Sequence, residues 1–279
     1  MALHELDPVN FDADDSEDEP VSRPPRRSPR RGVYVLPSLF TVLNLLCGYY
    51  AILETFRGGA GDMDNAAKAI GAAIVFDALD GRIARLTHTN SEFGKQFDSL
   101  ADVVSFGIAP AFLAFGWGVK GVMLAQSFAA VHVVQLGWVC SFAFVIFCAW
   151  RLARFNIGMA GGAKYFVGLP TPAAAGGIAA VVHAMWNPIE DWRKSLVWAL
   201  LVLLLGFLMA SKVRYYNFKG VNWGRRRTSL AVVAMALIIA AIFRYSEATL
   251  LLLATVYILH GLVVEALRKL RHRTSAHPA

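Results

Sequence analysis

From residue 36 onward the chain is organised by long apolar runs separated by short polar connections. Eight runs are candidate membrane spans, at 36–56, 63–86, 95–118, 134–157, 172–187, 193–212, 228–244 and 248–268. Most are long enough to cross hydrocarbon roughly 30 Å thick at about 1.5 Å of rise per residue. The fifth and seventh are shorter, so they tilt little or extend at their ends. Residues 119–133 fit either an extension of a neighbouring helix or a segment lying in the interface. The pattern predicts an all-α, polytopic membrane protein with about eight transmembrane helices.

Composition supports this. Of the 279 residues, 56% are hydrophobic and only 17% are charged, less charge than a soluble domain usually carries. Cys47, Cys140 and Cys148 all fall in apolar runs without metal-ligand spacing and read as small buried hydrophobes. Residues 1–32 break the pattern. An acidic block from Asp12 to Glu19 is followed by Arg23, Arg26, Arg27, Arg30 and Arg31 among prolines. So little apolar surface predicts a disordered arm, and its acidic start is not that of a secretory signal. The arginines precede a span directly, which suits contact with anionic membrane lipid better than nucleic acid. The chain thus divides into an arm (1–32), a transmembrane body (33–270) and a tail (271–279).

Charge sets the orientation. With eight spans, one side receives 21 of the lysines and arginines and the other five, Arg57, Lys120, Arg193, Lys194 and Arg244. The positive-inside rule places the richer side, with both termini, in the cytoplasm.

On that side lie two acidic pairs. Asp77 and Asp80 are spaced i, i+3 near the end of the second span. Asp98 and Asp102 are spaced i, i+4 near the start of the third. Each spacing places both carboxylates on one helix face, and the short connection predicts antiparallel neighbours with the pairs facing each other. Four close carboxylates repel unless cations bridge them. Two divalent ions balance the charge, and oxygen-only ligands favour Mg2+ or Mn2+. Two such ions suit phosphoryl transfer. Gly81, Ala84 and Gly94 leave room for a ligand or allow close helix packing, and Arg85 offers a planar fork to a phosphate.

Asp77, Asp80, Gly81, Ala84 and Arg85, then eight residues, then Gly94, Asp98 and Asp102 resemble the signature of the CDP-alcohol phosphatidyltransferase family without a departure. The resemblance implies transfer of a phosphatidyl group from a CDP-linked lipid to an alcohol, with CMP leaving. It implies that Asp77, Asp80, Asp98 and Asp102 ligate two metal ions and that Asp102 is also the base for the incoming hydroxyl. Gly81, Arg85 and Ser91 would contact the CDP moiety. Pro37, Ser38, Thr41 and Asn44 look like the family segment that borders the nucleotide, although Ser, Thr and Asn near a helix start also serve as caps.

Four more stretches resemble the membrane-embedded, serine-accepting branch of the family found in bacteria. They are Asp98 to Pro110, Arg151 to Asn156, Phe166 to Pro172 and Ser211 to Lys219. This implies CDP-diacylglycerol as donor, L-serine as acceptor, the bacterial cytoplasmic membrane as location, and a homodimer. Arg151 and Arg154, one helical turn apart, could hold the serine carboxylate, or could serve as topological anchors or lipid-phosphate contacts. Asn156 and Thr171 are further polar candidates. Another acceptor, such as glycerol 3-phosphate or an inositol phosphate, would use the same chemistry. A cation transporter is the rival of another class, but a fixed arginine beside its ligands would gain it nothing.

Overall fold

The computed structural model describes residues 35–87, 91–124, 128–158, 165–211, 213–216, 236–237, 240–242 and 244–274. The arm and most of the expected seventh span lie outside this set. The helices are α1 (Val35–Arg57), α2 (Ala60–Thr87), α3 (Glu92–Asp102), α4 (Ala109–Gly118), α5 (Phe128–Asn156), α6 (Thr171–Met185), α7 (Trp192–Ala210) and α8 (Ser246–Thr274). A π-helical turn, Val103–Ile108, joins α3 to α4, and its wide hydrogen bonding shows in Ala109 N–H donating to Val104 O. The ambiguous segment resolves into a 3-10 turn, Lys120–Leu124, and the early start of α5.

Among the described residues, five helical stretches are long and apolar enough to cross a membrane: Leu39–Arg57, Glu92–Gly118, Phe128–Asn156, Trp192–Ala210 and Ser246–Glu265. The protein is a helical membrane protein. Two expected spans differ in kind from these. α6 is short, and α2 is long but carries Asp62, Asp64, Lys68, Asp77, Asp80 and Arg82.

Small side chains let the helices approach closely. Met63, Ala66, Ala67, Ile70 and Ala73 form a buried stripe at helical spacing on α2, the helix that packs most extensively on α1. α6 begins with Thr171 and Pro172, where a missing N–H costs nothing, and buries Ala174, Ala175, Ile178 and Val182. At the other end of the bundle, Trp117 and Trp198 meet edge to face at 5.0 Å, and Trp198 Nε1 donates to Ala114 O at 2.8 Å. Trp117 is 1% exposed. It is therefore a core residue.

α2 and α3 both pack on α1. One expectation changes in the packing: among the described residues the all-helical pattern is interrupted by one antiparallel ribbon, β1 (Tyr165–Val167) with β2 (Arg214–Tyr216). Gly168 N–H donates to Val213 O at 2.8 Å, and Leu169 N–H to Leu208 O at 3.0 Å. Gly168 has φ +83°, and a Cβ there would collide with Met209 O. This glycine turns the chain from the ribbon into α6.

Candidate metal centre

Asp77 comes from the last turns of α2, and Asp98 and Asp102 from α3. Carboxylate oxygens of these three lie within 4.8 Å of one another. At that distance two ionised carboxylates repel by about 3 kcal/mol at an effective dielectric of 20. The fourth carboxylate, Asp80, is buried beside the trio and accepts a hydrogen bond from the Thr41 hydroxyl. Asn44 Nδ2 donates to Asp102 Oδ1 at 3.1 Å. Helix α1 therefore supplies a neutral donor to one aspartate of each pair. Ser105, in the π-helical turn, donates to Asn44 O at 2.9 Å and fastens α1 to the segment that follows Asp102.

Asp98 Oδ1 is buried and has no hydrogen-bond partner among the described residues. A buried, orphaned carboxylate oxygen in an all-oxygen cluster fits a hard divalent cation. The residues present thus suit the metal ions that the motif implies.

The other candidates divide into two groups. Arg151, on α5, is 8% exposed and donates from Nη1 to Thr171 Oγ1 at 3.4 Å, while its Nε is buried without a hydrogen-bond partner among the described residues. Its charge reaches Asp102. Asn156 Nδ2 donates to Ser99 Oγ at 2.9 Å, beside Asp98. Arg154 donates to Ala210 O at 3.3 Å. Ser91 caps α3 by accepting from Gly94 N–H at 2.9 Å. Gly81 follows Asp80 on α2, and the side chains of Ser38 and Arg85 lie outside the described set.

Sequence reasoning singled out Thr41 and Asn44 for a nucleotide; the structure places both against aspartates. It passed over Ser105 and Ser99, whose only signal was proximity to the acidic motif.

Residues 34–208 match the family model described as CDP-alcohol phosphatidyltransferase. The chain belongs to the CDP-alcohol phosphatidyltransferase family. Among relatives, it is 36% identical over 213 residues to a CDP-diacylglycerol–serine O-phosphatidyltransferase of Helicobacter pylori, covering 75% of this chain and 84% of that protein. A protein of the same name from Methanocaldococcus jannaschii is 30% identical over 236 residues, covering 84% of this chain and 95% of its own. An archaetidylserine synthase of Methanothermobacter thermautotrophicus is 33% identical over 189 residues, covering 67% and 72% respectively. Within this CDP-alcohol phosphatidyltransferase, the matched region carries the whole acidic motif and ends before α8.

Proposed function

We propose that this protein transfers the phosphatidyl group of CDP-diacylglycerol to the hydroxyl of L-serine and releases CMP. The observation that carries the reading is the juxtaposition of a carboxylate centre with Arg151, a buried cation without a carboxylate within salt-bridge distance among the described residues. Such a cation calls for an anionic ligand. The names of the serine-accepting relatives support an amino acid whose carboxylate fills that place.

Asp77, Asp80, Asp98 and Asp102 would hold two Mg2+ or Mn2+ ions, which would neutralise charge on the donor diphosphate and on the departing CMP. Asn44 fixes Asp102 through Oδ1 and leaves Oδ2 to take the serine hydroxyl proton as that oxygen attacks phosphorus. The new P–O bond forms as the bond to CMP breaks. Arg151 and Thr171 orient the acceptor, so that much of the acceleration comes from placement. Arg85, Gly81, Ser38 and Ser91 border the nucleotide in this reading. The charge bias of the loops supports cytoplasmic termini and a cytoplasmic active site in a bacterial inner membrane, with the enzyme a homodimer among membrane lipid.

The test is CMP release from CDP-diacylglycerol by purified protein against serine, glycerol 3-phosphate, inositol, inositol phosphate and ethanolamine. Serine-dependent release that disappears with a chelator and returns with Mg2+ or Mn2+ is expected. Release that needs glycerol 3-phosphate or an inositol compound would overturn serine as acceptor, and full activity without divalent ions would overturn the metal centre.

A further inference from the structure

A second buried polar chain lies at the end of α2 remote from Asp77 and Asp80. Asp64, on α2, is 2% exposed and His183, on α6, is 7% exposed. His183 Nδ1 hydrogen-bonds Asp64 Oδ1, and His183 Nε2 lies 2.9 Å from Ser246 Oγ in the first turn of α8. Lys68 Nζ sits 2.7 Å from the other carboxylate oxygen, Asp64 Oδ2. An ionised carboxylate can only accept, so Nδ1–H donates to Asp64. In the neutral ring Nε2 then accepts from the Ser246 hydroxyl. Carboxylate–imidazole–hydroxyl relays also activate nucleophiles. Here Lys68 engages the second oxygen and the serine lies against α6, so the relay joins α2, α6 and α8.

α8 needs such a tie. Only 6% of its apolar stretch is buried, and among the described residues its main contacts are with α6, with a few to β2. Tyr257, Ile258 and Leu262 pack on the core, with Ile258 at Gly177 of α6. Gly177 lies about 9 Å along α6 from Thr171, the residue that holds Arg151. α8 also touches β2, whose ribbon leads through Gly168 into Thr171. Tyr257 and Arg151 lie within electrostatic reach of each other.

We propose that α8 forms a wall of the acceptor subsite. The Asp64–His183–Ser246 relay sets its height on α6, and the Tyr257 hydroxyl joins Arg151 in binding the carboxylate of an amino-acid acceptor. The proposal rests on the reading of Arg151 as the acceptor anchor. Tyr257 contacts substrate, whereas His183 and Ser246 are positioning residues. The tie is a polar lock between membrane helices, where unsatisfied hydrogen-bonding groups are costly.

Kinetics and cross-linking test it together in the full-length protein. Tyr257→Phe removes one hydroxyl and should raise the KM for serine three- to tenfold, leaving kcat and the KM for CDP-diacylglycerol close to wild type. His183→Gln and Ser246→Ala should raise the same KM, and Ser246→Thr should restore it. Oxidative cross-linking between Gly177→Cys and Ile258→Cys reads the docking of α8 directly and should fall when His183→Gln is added. An unchanged serine KM in Tyr257→Phe, or equal rises in both KM values, overturns the wall. A cross-link that persists with His183→Gln overturns the tie. If the wild type proves to use another acceptor, the serine reading alone fails; the KM comparison is then made with that acceptor, and the cross-link result stands.

Discussion

Asp80 and Asp102 each accept a neutral donor from α1, whereas Asp98 Oδ1 has none. The three should therefore respond differently to substitution of their surroundings. Asp98→Asn should abolish serine-dependent CMP release while the thermal midpoint in detergent holds or rises, because a repelling charge is removed. Retention of more than a tenth of wild-type turnover would remove Asp98 from the centre. Thr41→Val and Asn44→Ala act through their aspartates. Each should raise the Mn2+ concentration for half-maximal activity by roughly 10- to 100-fold, the usual effect of losing a group that orients a ligand. A Mn2+ titration of CMP release checks this. The four aspartates were legible in the sequence because regular helical spacing converts a motif into a face. The partners of Thr41 and Asn44 were not, since a hydroxyl or amide at a helix start is equally suited to a cap, a ligand or a carboxylate.

At the level of elements, hydrophobic runs located most of the helices, but they contained no signal for the π-helical turn after Asp102 or for the packing of both α2 and α3 on α1. Both depend on which apolar faces meet, and apolar runs in a membrane are apolar on every side. The β1–β2 ribbon escaped for another reason. Three-residue strands are too short for an alternation to register, although both fall in stretches that already resembled the serine-accepting branch. Gly168 marks the ribbon's exit into α6. Gly168→Ala would force a side chain into a left-handed conformation costing about 1–2 kcal/mol, with a collision at Met209 O in addition. The expected result is a lower unfolding midpoint in detergent together with a raised serine KM, as Thr171 moves from Arg151. A wild-type midpoint and KM would show that the turn adapts without strain.

For the whole molecule, the loop charges predict an orientation that labelling can test. Asp191 and Glu92 are exposed at the starts of α7 and α3 and fall on opposite sides in the eight-span topology. An impermeant maleimide added to intact cells should label Asp191→Cys and leave Glu92→Cys unmodified until the membrane is opened; the reverse would invert the topology. The arm is expected to act only at the lipid surface. A chain lacking residues 1–30 should keep its rate in detergent and lose activity only on anionic vesicles, where each basic residue contributes about 1 kcal/mol. That loss should shrink as salt rises.

The 15 residues of α6 rise about 22 Å, short of the roughly 30 Å of hydrocarbon around them. Where α6 begins, beside Arg151, the chain continues as ribbon and turn. Lipid tails do not solvate backbone of that kind; it persists at such depth only inside protein or along water. Leu169 and Thr171 are buried there, so protein and not lipid surrounds the exit of the ribbon. A helix shorter than the oil around it makes membrane thickness itself a variable on which the seating of α6 depends.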